Sequence, residues 1–408
     1  MRIAIIGGGP AGLMAAARLA GEFQVTVFES GPRPGRKLLL SGGGQCNITH
    51  TGEIADFLTH YGKNGKFLKT ALYAFPPKAL LDFFRQRGLD FLEREDGKIF
   101  PKTLKARDVL DKLLAAGENA AIMSGEKVTG INKKADVFIL ETEKSPRASK
   151  KTYEADKVIL ATGGLSYPET GSGGSGFSLA LGHRITPLRP ALCGVISPGF
   201  KDLAGNSFTA AGIAVFRAGR LILRGEGDIL FTHRGVSGPA VLNLSRYLEA
   251  GDTLAINFLH PTDPEEFLAA FPGTVKKEER KTIGGFLSAF PLTRALQDVV
   301  LARNGVPRSK PCAQLTKTDM RKIAEHLVRF PVPVVETEGF HAAMVTAGGV
   351  SLDEVNPKTM ESRVTAGLYF AGEILDIDGD EGGYNLQAAF STGWLAAASI
   401  LYTSTSLS

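Results

Sequence analysis

The residues Gly7-Gly8-Gly9-Pro10-Ala11-Gly12 carry the G-x-G-x-x-G spacing that lets a backbone close on a phosphate. Gly7 permits a tight turn, Gly9 removes the side chain that would hold a pyrophosphate away, and Gly12 lets a following helix lie against its strand. Free amides at that helix start, together with the helix dipole, favour negative charge. Glu29, at the end of the next apolar run, is placed to accept hydrogen bonds from a ribose. The flanking pattern supplies the context that the glycines need. Arg2 to Ile6 reads as a buried strand, Leu13 to Leu19 as a helix, and Gln24 to Phe28 as a second strand. This combination points to a bound dinucleotide.

A second set of chemistry-bearing residues lies far along the chain. Lys157 to Gly164 reads as a buried strand ending in a glycine turn, and Thr365 to Glu373 as another with an acid at its carboxyl end. Both belong at the ligand edge of one parallel sheet. Gly382-Gly383-Tyr384-Asn385-Leu386-Gln387 then opens an apolar helix that runs to about Leu401. A glycine pair before a helix presents free amides, which suit the negative charge on the N1 and O2 edge of a reduced flavin. Glu373 would then hold a ribityl hydroxyl. Gly171 to Gly176 also matches G-x-G-x-x-G, but it follows its strand too late and lacks a strand-ending acid downstream, so it reads as a loop over the flavin. Any nicotinamide donor, NAD(P)H, would bind transiently without a Rossmann domain of its own.

The composition fits an enzyme of several domains. The chain has 408 residues, 43% of them apolar, with 48 glycines. No run is long and apolar enough for a membrane span, and the first strand is too short for a secretory signal, so no membrane association and a cytoplasmic location are expected. Cys46, Cys193 and Cys312 are dispersed and odd in number, which argues against a disulfide framework and against a redox dithiol. The seven histidines form no metal-binding spacing, so no metal is expected. With 47 basic and 42 acidic residues the net charge is only +5. Two basic runs, Lys144 to Lys151 and Lys276 to Lys281, are read as solvated faces rather than nucleic-acid footprints.

Several longer runs are jointly specific. They are Gly35 to Asn47 (GRKLLLSGGGQCN), Ala161 to Pro168, Leu230 to Ala240, Thr346 to Val350 and Asn356 to Ser362, joined by the GLYFAGE and GGYNLQ segments. Over nearly its whole length the chain resembles the bacterial FAD flavoproteins known as NAD(FAD)-utilising dehydrogenases, aminoacetone oxidases, bile-acid dienone reductases or ribosomal-RNA dihydrouridine synthases. Two departures stand out: Gln45 occupies a position where that family usually has Arg, removing a cation near the flavin or substrate edge, and His50 replaces a usual Asn.

The resemblance implies an α/β fold: a glutathione-reductase-like, Rossmann-type FAD-binding domain, discontinuous over residues 1–190 and 340–408. Residues 191–262 and 331–339, with alternations such as Gly212 to Phe216 and Gly219 to Leu223, read as a β-barrel-like substrate domain. Residues 263–330, with helical spacing at Pro264 to Ala270, Thr282 to Phe290, Leu292 to Leu301 and Thr318 to Phe330, read as a small helical subdomain. Residues 66–116 read as a helical and hairpin excursion turning at Glu95 to Lys98. The residues expected to line FAD are Gly7, Gly9, Pro10, Ala11, Gly12, Glu29, Ser30, Arg36, Lys37, Ser41, Gly42, Gly43, Val128, Thr162, Gly163, Gly164, Gly372, Glu373, Asp378, Gly383, Tyr384, Asn385 and Leu386.

The protein's task in such chemistry is to aim the flavin and tune its charge. Cys46 is a candidate general acid, with inert packing as the alternative. His233 is a candidate for substrate binding or proton donation, with a loop role as the alternative. Tyr167, Arg234 and Ser237 are substrate-side candidates, and Tyr384 is read as positioning its loop. Three functions follow. In the favoured one, reduced FAD delivers hydride to an activated carbon–carbon double bond, with ribosomal-RNA uridine ahead of a small enone. In the second, oxidised FAD takes hydride from a small amine and oxygen reoxidises it. The third is a flavin-dependent RNA-binding or redox-sensing module. Fold alone does not choose among them.

Overall fold

The apolar runs that open the chain form the centre of a five-stranded parallel sheet in the computed structural model, which describes residues 1–144 and 149–405. Strand β1 (Arg2–Ile6) lies between β2 (Gln24–Glu29) and the strand Lys157–Leu160, here β4. The outer strands are β3 (Ala121–Ser124), beside β2, and β5 (Leu368–Phe370), beside β4. The register sets Ile6 opposite both Phe28 and Leu160, Leu160 opposite Phe370, and Glu29 opposite Ser124. All the carboxyl ends therefore reach one edge, where the loops that follow them converge. Ile3, Ile5, Val27, Ile159 and Phe370 are buried, as expected for parallel strands covered on both faces.

Helix α1 (Pro10–Leu19) starts earlier than the Leu13 suggested by its apolar spacing. Pro10 has no N–H to lose in a first turn, and its fixed φ suits helix entry. The chain's last helix, α2 (Tyr384–Thr405), has 22 residues and packs along α1. Their closest approach needs Gly393, because a Cβ there would stand 2.3 Å from the Ala11 carbonyl oxygen. One apolar cluster joins α1 and α2 to the sheet and to the antiparallel meander Glu126–Lys134, Val137–Lys144 and Ser149–Ala155. A second cluster gathers Leu80, Phe84, Val109 and Leu113 from the excursion, whose helices Pro77–Arg85 and Ala106–Ala116 bracket the hairpin Phe91–Glu93 and Lys98–Pro101. That hairpin turns at Gly97, where φ is +80°.

The chain divides into two compact units, Met1–Ala191 with Ala343–Ser408, and Leu192–Ala342. In the second unit, seven antiparallel strands run in the order Phe330–Pro333, Thr253–Asn257, Ser207–Arg217, Arg220–Phe231, Gly235–Ser237, Val195–Ile196 and Glu336–Thr337. Only Val334 and Val335 separate the two edge strands in sequence, and their amides bond to the Asp252 and Ile196 carbonyls. A single segment thus closes both edges, and the sheet is a small barrel. The helices Pro264–Lys277, Ile283–Leu287, Arg294–Arg303 and Lys317–Val328 share one apolar cluster with these strands. They complete the barrel's core instead of building a third one, so the structure has two units where three were expected.

Two helix limits differ from the sequence reading. The helix expected to stop at Ala270 continues through Pro272 to Lys277, with the Asp263 side chain accepting from the Glu265 and Glu266 amides at its start. The one expected to reach Phe330 ends at Val328, because Phe330 opens a strand. Lys276 and Lys277 lie in the last turn of their helix, and Lys281 pairs with Glu278 at the surface. Most of the other basic run, including Arg147, lies outside the described residues. Among the described residues no helix is long and apolar enough to cross a membrane.

Replacing Gly393 with Ala should lower the unfolding free energy by about 1–3 kcal/mol, the usual cost of overpacking. Gly273, exposed in mid-helix with nothing near its Cβ position, is the control: Gly273→Ala should raise stability by up to about 1 kcal/mol. Urea titration of both variants checks the pair, and equal responses would contradict the packing argument.

Candidate functional site

The loop after β1 shows which glycines serve the chain and which leave room for something else. Gly7 adopts φ +110°, donates to the Phe28 carbonyl at 2.8 Å, and a Cβ on it would stand 2.3 Å from the Ala161 oxygen. A Cβ on Gly12 would stand 2.0 Å from the Gly7 oxygen. Both are fixed by internal contacts. Gly9 has an ordinary φ of −85°, and a Cβ there would meet no atom of the chain within 4 Å. The space beside it, at the free amides of α1, fits a diphosphate.

Glu29 ends β2 with its carboxylate locked to this turn. Oε2 accepts from the Gly8 amide at 3.0 Å and Oε1 from the Gly31 amide at 2.6 Å, with the exposed Ser30 hydroxyl 3.5 Å away. The half-buried Arg36 side chain passes Gly31, and among the described residues it makes no ion pair, so its charge remains available to an anion. The Gly125 amide bonds to the Gly31 carbonyl at 2.8 Å, tying the end of β3 to the same turn. Val128 follows in the meander with its side chain in the core.

On the other flank four distant segments meet. Lys37 Nζ lies 2.5 Å from both Glu373 Oε2 and Ser166 Oγ, and the Ser166 hydroxyl donates to Glu373 Oε1 at 2.5 Å. The Thr346 amide donates to the same Oε1 at 2.9 Å. The sequence reading reserved Glu373 for a ribityl hydroxyl. These partners occupy most of the four or so acceptor positions of a carboxylate, leaving room for one more donor. Gly164 passes so close to Thr346 and Glu373 that a Cβ would stand 2.4 Å and 2.9 Å from their oxygens. Thr162 is covered by Gly176, and Gly163, at φ +74°, faces Ser172. Tyr167 holds the left-handed conformation at φ +51°.

The loop leading into α2 is braced from behind. Asn385 bonds both the amide and the carbonyl of Gly379, Asn64 donates to the Asp376 carbonyl at 2.7 Å, and Tyr61 donates to the Tyr384 carbonyl at 2.8 Å. Asp378 is half-buried in this loop, and Gly383, at φ +97°, passes against Thr49. Leu386 packs on the second apolar cluster, while the Gly372 amide donates to Thr392 Oγ1 at 2.9 Å. The Tyr384 ring stacks between His50 at 5.1 Å and His60 at 4.0 Å, and His60 Nδ1 lies 3.0 Å from Asp380 Oδ2. Burial and the nearby Asp380, Glu381 and Asp56 carboxylates push its phenol up to about 12. Tyr384 is a brace. The stack escapes sequence reasoning, since no local spacing links His60 to Tyr384.

The loop Ser41 to Cys46 corrects one expectation. The Ser41 hydroxyl donates to the Leu38 carbonyl at 2.6 Å, and Gly42 and Gly43 are exposed at φ +56° and +64°. Cys46 is 0% exposed, within the cluster of Leu38 and Ile48, and burial pushes its thiol up to about 12. A thiol closed off in this way packs the loop and does not serve as a reachable acid. Beside it, Gln45 Oε1 accepts from Arg94 Nη2 at 2.6 Å, and the Arg94 guanidinium lies 3.9 Å over the Phe100 ring. Arg94 had no signal in the sequence.

The remaining candidates belong to the second unit. Thr232 Oγ1 accepts from the Arg234 and Gly235 amides at 3.2 Å and 3.1 Å, which shapes a tight turn with His233 and Arg234 exposed. Arg234 lies 3.9 Å from Glu338, and Ser237 pairs with Leu230 across the barrel. In the first unit, the second glycine motif ends in a helix of only four residues, Ser175–Ser178, and Gly171 lies beside Glu29. It borders the first crevice rather than forming another.

A family model for the HI0933-like protein Rossmann domain matches residues 1–399. The chain is 33% identical over 411 residues to the 3-dehydro-bile acid delta(4,6)-reductase of Clostridium scindens, covering 97% of this chain and 98% of that protein. It is 32% identical over 408 residues to the ribosomal RNA dihydrouridine synthase of Escherichia coli, covering 97% of each. The Haemophilus influenzae protein of the same name is 30% identical over 409 residues, again covering 97% of each. Among solved structures, 3-ketosteroid delta1-dehydrogenase from Sterolibacterium denitrificans, in complex with 1,4-androstadiene-3,17-dione, superposes with a TM-score of 0.52 at 12% identity, over 98% of this chain and 99% of that one. That likeness concerns the fold.

Cys46, Cys193 and Cys312 are all buried, and burial raises each thiol. Iodoacetamide at pH 8 should therefore modify none of them in the native protein and all of them after denaturation, as read by intact-mass spectrometry. Rapid native alkylation at Cys46 would show that the loop opens.

Proposed function

The chain belongs to the HI0933-like Rossmann-domain family, and we propose on that footing that it binds FAD and saturates a carbon–carbon double bond conjugated to a carbonyl, its substrate being uridine in ribosomal RNA. That it is an oxidoreductase follows from the family. The observation that carries the FAD reading is the convergence of a diphosphate-sized opening at Gly9 and the braced start of α2 on one sheet edge. The double bond is the common element in the relatives' names, because a delta(4,6)-reductase and a dihydrouridine synthase both remove one. Two relatives bearing the RNA name favour uridine, and the bile-acid relative favours a small steroid enone as the second reading.

Reduced FAD would supply the hydride. The chain's own residues do the rest. Glu29 holds the ribose hydroxyls while its other lone pairs fix Gly8 and Gly31. Arg36 and the first amides of α1 balance the diphosphate charge. Lys37, Ser166 and Thr346 hold Glu373 in one orientation toward the ribityl chain. The unsatisfied first-turn amides of α2 stabilise the negative charge of the reduced ring. A uridine would leave its stack to reach this site, at a cost of a few kcal/mol in a duplex and less in a loop. A nicotinamide would visit transiently, and the cytoplasm, where ribosomes are, is the compartment that fits.

Ribosomal RNA from cells with and without the gene should differ by two daltons at one uridine, read by mass spectrometry of nuclease fragments. No difference at any uridine rejects that substrate. The steroid reading predicts instead that a 4-en-3-one reoxidises the anaerobically reduced protein, whereas hydrogen peroxide release with aminoacetone would favour the amine oxidase. For the crevice itself, Gly9→Ala should weaken FAD binding at least tenfold, about 1.4 kcal/mol, while leaving the melting temperature of the apoprotein nearly unchanged. Unchanged affinity would remove Gly9 from the diphosphate site.

A further inference from the structure

Gln45 is a half-buried carboxamide with one end already committed. Its side-chain atom facing Arg94 must be the oxygen, because a guanidinium only donates and the two lie 2.6 Å apart. The amide orientation is therefore set by chemistry, and Nε2, with two N–H donors, points away from Arg94. Among the described residues that nitrogen has no partner. Arg94 is itself held in place, its guanidinium stacked 3.9 Å over Phe100 and its backbone amide donating to the Lys98 carbonyl at 2.9 Å. Phe100 in turn lies against Gly42, where a Cβ would stand 3.3 Å from the ring.

The backbone around Gln45 is equally constrained. Gly42, Gly43, Gly44 and Cys46 all have positive φ, and the Gln45 amide bonds back to the Gly42 carbonyl at 3.2 Å. Arg94 is not part of an anion-binding patch, since Glu93, Glu95 and Asp96 surround it in the hairpin. Its charge is spent on one neutral amide, where a cation on the oxygen draws electron density from the nitrogen and makes its N–H groups better donors.

We infer that Gln45, oriented and polarised by Arg94, is the hydrogen-bond donor for the substrate's carbonyl oxygen. The inference rests on the double-bond reading above and adds to it the group that activates the acceptor. When hydride from reduced flavin bonds to the β-carbon, the π electrons of the double bond move to the carbonyl, and its oxygen takes up the charge as an enolate. A proton then closes on the α-carbon, restoring the carbonyl. The product is saturated and the flavin oxidised, to be recharged by a nicotinamide. Donors aimed at that oxygen are stronger partners of the enolate than of the starting carbonyl, which is the condition for accelerating the step. Gln45 is the catalytic residue in this assignment, and Arg94 is a positioning residue acting through it.

The test uses FAD-loaded protein and para-substituted phenols, whose phenolates mimic the enolate and show long-wavelength charge-transfer absorbance beside oxidised flavin. Gln45→Glu keeps the shape and the Arg94 contact but has no N–H. It should weaken phenolate binding at least tenfold and slow reoxidation of the reduced protein by its unsaturated acceptor about a hundredfold. FAD affinity and the rate of reduction by NAD(P)H should stay within about twofold of wild type. Arg94→Met should weaken phenolate binding about fivefold, and adding it to Gln45→Leu should cost nothing further, since the two act as one unit. Unchanged phenolate affinity and reoxidation in Gln45→Glu with flavin bound would overturn this assignment alone. Wild-type protein that retains no flavin would overturn both it and the reading on which it rests.

Discussion

Parallel register at the centre of the first unit is the constraint on which the site depends. Ile6, Phe28, Leu160 and Phe370 end their strands side by side, so four loops from separated parts of the chain leave the sheet at one edge. A slip of one residue would turn each side chain to the opposite face and misplace every loop. Once the edge is formed, its geometry is self-consistent. Gly7 fits under Ala161, Gly12 fits under Gly7, and Gly164 fits against Thr346, each at a distance no side chain would allow. The Lys37–Glu373 pair then ties the loop after β2 to that after β5. At 24% and 20% side-chain exposure the pair is only partly desolvated, so its importance is as a fastener of geometry more than as a source of stability.

The first strand, turn and helix were legible because their determinants are local. Glycine spacing, a proline at the helix start and alternating burial act within a few residues, and the observed β1, α1 and β2 match them closely. What sequence could not show is long-range. Lys37 and Glu373 are separated by 336 positions, so the demands on Glu373 by its neighbours have no expression in local spacing. The same holds for Arg94 on Gln45 and for the histidines around Tyr384. The barrel was suggested by strand alternation, but its closure depends on one segment serving both edges, which only pairing reveals. The helices after it had the right spacing yet no core of their own, because spacing identifies an apolar face and not what that face meets.

Backbone strain gathers in the loops above the sheet edge. Cys46 and Tyr167 both hold left-handed conformations that disfavour side chains by roughly 1–2 kcal/mol each. At Cys46 the gain that offsets this is burial of the side chain with Leu38 and Ile48, about the value of one small apolar residue. The chain therefore accepts strain there to present Gly42 and Gly43 outward with Gln45 between Arg94 and solvent. Glycine at position 46 would relax the backbone but lose the anchor, which explains why a buried thiol rather than a fourth glycine ends the run.

The site's most displaced titrations also bear on how it handles charge. Burial pushes both the Cys46 thiol and the Tyr384 phenol up to about 12, so both remain protonated and neutral through the physiological range. Neither changes charge as a reaction proceeds nearby. What remains to meet a developing negative charge is a fixed set of donors: the first amides of α2, the Lys37 ammonium already balanced by Glu373, and the Gln45 amide drawn toward Arg94. A site made of prepositioned dipoles and compensated charges needs little reorganisation when an electron pair moves, and this favours passage of hydride to a carbonyl-conjugated carbon over chemistry that begins with deprotonation by a strong base.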